Sequence, residues 1–128
     1  MGRKHIIPVH NFIEERRGIY LVPEILPKLV GEKIVVDCYV VNVTRTLKTF
    51  AVKGIQCVTC GVEGVYFALE RRKGDDCLHL NLYGILNNRE LLLTRDHILP
   101  RSKGGTDALS NLQPMCKICN EKKRDSYA

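Results

Sequence analysis

The sequence predicts an α+β protein with a small N-terminal β-hairpin region, residues 1–56, and a strand-rich unit, residues 57–128, that ends in a helix and is stapled by cysteines. Three observations lead there. Runs with β-branched or alternating character fill most of the chain, and a clear helical stretch follows them only at residues 117–124. Cys57 and Cys60, then Cys116 and Cys119, form two Cys-x-x-Cys pairs that bracket the second unit. At 128 residues, with 45% hydrophobic and 27% charged side chains, the composition is globular and leaves room for about one ordinary domain. That excludes a disordered chain and a multidomain enzyme.

Taken in order, residues 23–31 read as a short helical turn, with Pro23 tolerated early, Pro27 breaking it and Gly31 at its end. Residues 33–43 read as a strand, 47–53 as its alternating partner, and Thr44, Arg45 and Thr46 as the turn of a hairpin between them. Strands are expected at 64–70 and 78–83, and Asn87-Asn88 makes a turn into a third at 91–96. Pro100 and Gly104-Gly105 end that strand in a loop before the last helix.

The chain carries 20 Lys and Arg against 14 Asp and Glu, a net charge of +6. Nine basic and five acidic groups lie in residues 1–56, and seven against three in residues 95–124. Such a balance favours a polyanionic partner, nucleic acid first. The longest apolar runs fall far short of the roughly 20 residues of a membrane span. The first residues lack the apolar core of a secretory signal, and Ile6 stands where a myristoylation signal needs Ser or Thr. The expected location is the cytoplasm, where paired cysteines bind metal rather than form disulfides.

A two-residue spacing lets both thiolates of a turn converge on one ion, so Cys57, Cys60, Cys116 and Cys119 are expected to close a tetrahedral site. Zinc suits this set better than iron, because a lone structural tetrathiolate requires no redox chemistry. A closed shell leaves no open position, so the ion is structural. Cys38 and Cys77 are left over as ordinary reduced cysteines.

A second group of residues carries the chemistry of phosphodiester cleavage, which requires a base for water and a cation for developing charge. His97 is the candidate base, with a pKa near neutrality. Asp96 and Asn120 offer hard oxygens for Mg²⁺ or Mn²⁺, provided that Asp96 turns toward the ion where its strand ends. Arg101, Lys103, Lys122, Lys123 and Arg124 are placed to bind phosphates, although a basic helix end is also what solvent and the helix dipole favour. Gly104 and Gly105 permit positive φ and close approach of backbone to phosphate. His79 belongs to the polar face of its strand, either toward DNA or as a partly buried structural histidine, and His5 and His10 carry no pattern.

Asp96-His97-Ile98-Leu99-Pro100, Gly104-Gly105, Ser110-Asn111-Leu112-Gln113 and Cys116-Lys117-Ile118-Cys119-Asn120 with its trailing lysines together resemble the ββα-metal core of the HNH endonuclease family. The resemblance covers residues 57–124, with Asn120 at the final position where many members have histidine. It implies a metal-dependent DNA endonuclease with His97 as general base. It also implies that Asn111, the central asparagine of the motif, holds the loop and the histidine in place. The small free-standing size resembles phage or mobile-element members, hence a bacterial host and a packaging or other DNA-processing partner. One active-site set per chain implies a monomer that nicks duplex DNA. The competing reading is a non-catalytic zinc-ribbon module that binds nucleic acid. Residues 1–56 match no motif; the basic groups on their hairpin either extend a DNA surface or face solvent.

Overall fold

A computed structural model describes residues 10–124, so the readings of the N-terminal signals and of His5 lie outside the described residues. The order is β1 (Ile13–Leu21), α1 (Val22–Ile25) running into a 3₁₀ turn (Leu26–Lys28), β2 (Lys33–Val36), β3 (Tyr39–Asn42), α2 (Arg45–Lys53), β4 (Tyr66–Arg72), β5 (His79–Leu86), β6 (Arg89–His97), 3₁₀ turns at Arg101–Lys103 and Leu109–Asn111, β7 (Leu112–Cys116) and α3 (Lys117–Lys123). Mixed α and β structure, mostly antiparallel strands with a few short helices, agrees with the expected class. Five strands form one antiparallel sheet in the order β1-β4-β5-β6-β7, and β2 and β3 form a separate hairpin. No helix among the described residues is long and apolar enough to cross a membrane.

The main core lies on one face of the sheet. Phe67, Leu69, Leu82, Leu93 and Met115 from the strands meet Val41 and Val43 of the hairpin region and Leu47 and Phe50 of α2. The other face holds a smaller cluster of Ala68, Tyr83 and Leu92, covered by Phe12, Ile19 and Tyr66. Strands β4 to β6 are therefore buried on both sides, which is why Phe67–Leu69 and Leu91–Leu93 are continuous apolar runs. Asn87 and Asn88 join β5 to β6 with φ of 53° and 63°, as a two-residue type I′ hairpin turn requires.

Two expectations are corrected. Residues 47–53 are not a strand: they lie in α2, started by Thr44, whose Oγ1 accepts a hydrogen bond from the Leu47 amide at 3.3 Å. Leu47 and Phe50, three apart, are the buried pair of a helix, and Thr49 fits the core only because its hydroxyl donates to the Arg45 carbonyl at 2.8 Å. The hairpin instead closes within residues 33–42, at Asp37-Cys38, with Asp37 in the left-handed region at φ 55°. Gly105 does not take the positive φ expected of it, and its close approach within the chain is to the loop backbone. Any side chain there would start 1.7 Å from the Leu99 carbonyl oxygen, because the loop folds back on itself through the Gly105 amide and Pro100 carbonyl. Gly104 does take positive φ, at 94°.

β1 was not expected, and neither was β7. Strand β1 carries Arg16 into the interior, where its guanidinium bonds the Glu70 carboxylate at 2.6 Å and Glu90 at 2.8 Å. Tyr83 and Asn81 donate to Glu70 at 2.6 and 2.8 Å, Tyr66 donates to Glu90, and His10 stacks on Tyr83 while meeting Glu90 at 3.1 Å. These partners satisfy a buried charge that would otherwise be prohibitive. Burial alone would raise the Glu90 carboxyl, yet the Arg16 guanidinium and the Tyr66 hydroxyl outweigh it and hold the group below the usual glutamate range. A carboxyl depressed on folding contributes stability that is complete above its unfolded pKa and lost as pH falls through the folded one. Arg16→Ala should therefore cost about 3–5 kcal/mol in urea unfolding at neutral pH, because two carboxylates lose their cation. The difference from the parent should shrink in acid as Glu90 protonates; a difference independent of pH would contradict this electrostatic account.

Candidate functional site

Two turns bring the paired cysteines together. In the first, the Cys57 amide donates to the Val62 carbonyl at 2.9 Å, and the Gly61 amide returns to the Cys57 carbonyl at 3.0 Å with Gly61 at φ 83°. In the second, Cys116 ends β7 and caps α3, its sulfur accepting from the Cys119 amide at 3.4 Å. A bond from the Val58 amide to the Pro114 carbonyl, 3.1 Å, ties one turn to the other. All four sulfurs lie within 4.8 Å of one another, and Cys60 and Cys116 are 3.8 Å apart. Bonds of about 2.3 Å to a tetrahedral zinc imply sulfur spacings of about 3.8 Å, so the donor set fits that ion.

The electrostatics agree. Burial disfavours the Cys57 thiolate, but amide donors from Cys60, Cys116 and Thr59 prevail and bring its pKa down to about 6. Cys119 is pushed up to about 12 by burial and by the neighbouring sulfurs of Cys116, Cys60 and Cys57. Four thiolates cannot coexist there without a cation to neutralise them. Cys38 and Cys77 are exposed and take no part.

The same cysteines fix α3 against β6. Asn120, in the first half of α3, donates from Nδ2 to Thr94 Oγ1 at 2.8 Å and to the Arg95 carbonyl at 3.2 Å, so its carbonyl oxygen lies outside these bonds. Lys123, one turn on, donates to the His97 carbonyl at 2.9 Å and pairs with Asp96 Oδ2 at 3.2 Å. Gln113 of β7 donates to the same Asp96 oxygen at 2.9 Å. Asp96 is buried, with Oδ1 outside those contacts. Asp96, His97 and Asn120 line one open cleft of about 330 Å³ together with Arg95, Arg101 and Arg124. Asp96 and His97 both line the cleft although they are successive residues of β6.

His97 Nε2 is 2.6 Å from Asp107 Oδ1, and Arg101 reaches the other oxygen of Asp107 at 3.2 Å. That imidazole contact, with Arg101 nearby, holds the Asp107 carboxyl below its usual range although burial opposes it. Asn111 does not touch His97. It clamps the loop instead, donating to the Leu99 and Thr106 carbonyls at 3.1 and 2.8 Å and accepting from the Leu99 amide at 2.9 Å. Of the five basic residues expected at phosphates, Arg101 and Arg124 line the cleft. Lys123 is held beneath it, and Lys103 and Lys122 are exposed but outside its lining. Thr94, Arg95, Asp107 and Gln113 were missed: none has a local signature, and only their partners identify them.

Residues 87–127 match the family model described as HNH endonuclease. Over this segment the chain is similar to HNH endonucleases. The HNH segment starts at the Asn87-Asn88 turn and contains β6, the loop, β7 and α3, so Cys57 and Cys60 reach the cluster from outside it. No curated protein and no solved structure matches the chain significantly. At the family level the match suggests a nuclease-type function, with DNA the substrate that the family implies, and the four cysteines lie close enough together to hold a zinc ion.

Purified protein should hold about one zinc per chain, retained through brief exposure to a mild chelator. Cys119→Ser should lower both the zinc content and the thermal midpoint, since Cys119 supplies one ligand and the first turn of α3. Full stability of that variant without zinc would refute a structural role for the ion.

Proposed function

We propose that the protein is a metal-dependent HNH endonuclease that hydrolyses DNA phosphodiesters, with structural zinc at the four cysteines and one Mg²⁺ or Mn²⁺ at the reacting phosphate. The observation that carries this reading is the gathering of Asp96, His97 and Asn120 on one cleft within the HNH segment. Residues 57–128 are the nuclease unit in this reading, and residues 1–56 have no assigned role. Phage or mobile-element origin, action in the bacterial cytoplasm and a packaging or other DNA-processing partner follow from the resemblance and belong to the same proposal.

With Nε2 donating to Asp107, the neutral imidazole of His97 keeps its lone pair on Nδ1. Nδ1 removes a proton from water, and the resulting hydroxide attacks phosphorus while the P–O3′ bond breaks. Asp107 fixes the ring and stabilises the imidazolium that forms, and Arg101 keeps Asp107 ionised. Asp96 Oδ1 and the Asn120 carbonyl oxygen would hold the divalent ion, which supplies charge neutralisation at the phosphate and the leaving oxygen. Arg124 and Arg101 at the cleft rim orient the strand. Asn111 acts indirectly, keeping the loop that presents Asp107 to His97 folded.

His97→Ala should reduce plasmid cleavage by about 10²–10⁴-fold while leaving DNA affinity nearly intact, because the base acts on the transition state. Chelation of the hard-ligand ion should abolish cleavage reversibly, with Mg²⁺ or Mn²⁺ restoring it. Cleavage by His97→Ala within about twofold of the parent rate would sink the mechanism. DNA binding with no cleavage in either metal would favour the zinc-ribbon reading instead.

One cleft addresses one phosphate, so a monomer should convert supercoiled plasmid to open circles before any linear form accumulates. Linear DNA appearing at once at limiting enzyme would require two sites facing opposite strands and would overturn the nickase reading alone.

A further inference from the structure

Arg95 lies beside the proposed metal ligand Asp96, half-buried; its backbone carbonyl accepts from Asn120, and its guanidinium makes no hydrogen bond or ion pair among the described residues. Asp107 attracts that guanidinium from a distance, and a positive group held partly out of water in this way still favours an anion in direct contact with it. Arg95 lines two clefts. One is the cleft of Asp96, His97 and Asn120; the other, of about 320 Å³, lies between the first turn of α2 and strands β5 and β6.

The second cleft has the chemistry of a nucleotide site. Its rim carries Thr44, Thr46, Arg72, His79 and Arg95, and its floor includes Phe50 and Leu93. Asp75 is its only carboxylate among the described residues, and that group is already held by the His79 ring at 3.0 Å and the Cys77 amide at 3.0 Å. Arg72 is exposed, makes no ion pair among the described residues, and its guanidinium lies over the Phe12 ring at 5.8 Å, a cation–π contact. Cations and hydroxyls around an apolar floor suit a phosphate with its sugar and base, and the volume falls at the lower end of the range of about 300–1,000 Å³ for ligand clefts.

We propose that this second cleft is a nucleotide subsite of the nuclease, binding a phosphodiester of the strand being cut, and that Arg95 bridges it to the scissile phosphate. Arg72 holds the flanking phosphate, with the Thr44 and Thr46 hydroxyls available to its oxygens. His79 belongs to this subsite and not to the cleavage site. The inference rests on the nuclease reading, yet it can fail separately from it, because binding and cleavage are measured apart.

The test uses the full chain carrying His97→Ala, a short fluorescein-labelled DNA duplex, and anisotropy across a salt series. Adding Arg72→Gln should weaken binding and flatten the plot of log affinity against log salt by about one unit, the value of one phosphate contact. Arg72→Lys should restore the slope, and Arg89→Gln, an exposed charge at the far end of β6, should leave it unchanged. Arg95→Gln, made with His97 intact, should lose both slope and plasmid cleavage. An unchanged slope in Arg72→Gln, or equal flattening in Arg89→Gln, overturns the subsite. If the parent chain cuts plasmid in Mg²⁺ under either of those outcomes, the nuclease reading stands without it. If the parent does not cut but Arg72→Gln flattens the slope, the subsite stands as a nucleic-acid contact and the nuclease reading falls. Absence of any DNA binding defeats both.

Discussion

Cys116 is at once the last residue of β7, the cap of α3 and one corner of the sulfur cluster, and the placement of the site depends on that coincidence. Drawing its sulfur toward Cys57 and Cys60 sets the direction in which α3 leaves the sheet. That direction brings Asn120 against Thr94 and Lys123 against Asp96 and His97. Helix α3 has seven residues, too few to persist in water from its own propensity. Its geometry must come from its attachments: the cluster at its start and the Lys123 contacts near its end. Closing the long loop from Cys57 to Cys119 through an ion is worth about 4 kcal/mol if the ion acts as a covalent crosslink would, comparable to the whole margin of a small domain.

On the opposite face of the sheet, the same need for order is met with charge. Arg16, Glu70, Glu90 and two tyrosines form a closed set of donors and acceptors, and no buried side-chain nitrogen or oxygen among the described residues lacks a hydrogen-bond partner. Such a set adds little net stability over apolar packing, but it permits few alternative arrangements. Strand β1 is bulged at two places along β4, and a slip would separate Arg16 from both carboxylates. The ionic network therefore selects the register of the strand whose apolar residues specify it least.

The distribution of legible and illegible features follows from how far apart in sequence the partners are. Cysteine pairs, the Asn87-Asn88 turn and the Asp96-His97 step carry their reasons within a few residues, and each could be read directly. Strand β1 could not, because Glu14, Glu15, Arg16 and Arg17 look like a solvated face until Glu70 and Glu90 are placed beside Arg16. Residues 47–53 satisfy both a period of two, through Leu47 and Thr49, and a helical spacing, through Leu47 and Phe50; the Thr44 cap decides. Pro114 disguised β7, where an edge strand tolerates a residue with no amide to donate. Asp107 sits in a loop with no pattern around it, and only the folding of residues 98–111 by Asn111 carries it to His97.

Asp96, in the cleft lining, and Asp107, which contacts the cleft residue His97 from outside that lining, are held in different ways, and this separation makes two roles feasible within one small site. Asp107 is bound through one oxygen to His97 and through the other to Arg101, so both of its oxygens are engaged and it is suited to orienting a ring. Asp96 has both Gln113 and Lys123 on Oδ2, which leaves Oδ1 outside those contacts. Lys123 would repel a divalent ion, yet without it the buried Asp96 carboxylate would keep Gln113 alone on Oδ2. Its ammonium pairs with Asp96, and its second bond, to the His97 carbonyl, ties the helix to the strand end that carries both residues. One lysine, from the helix that the cysteines orient, thus holds both Asp96 and the strand end at His97.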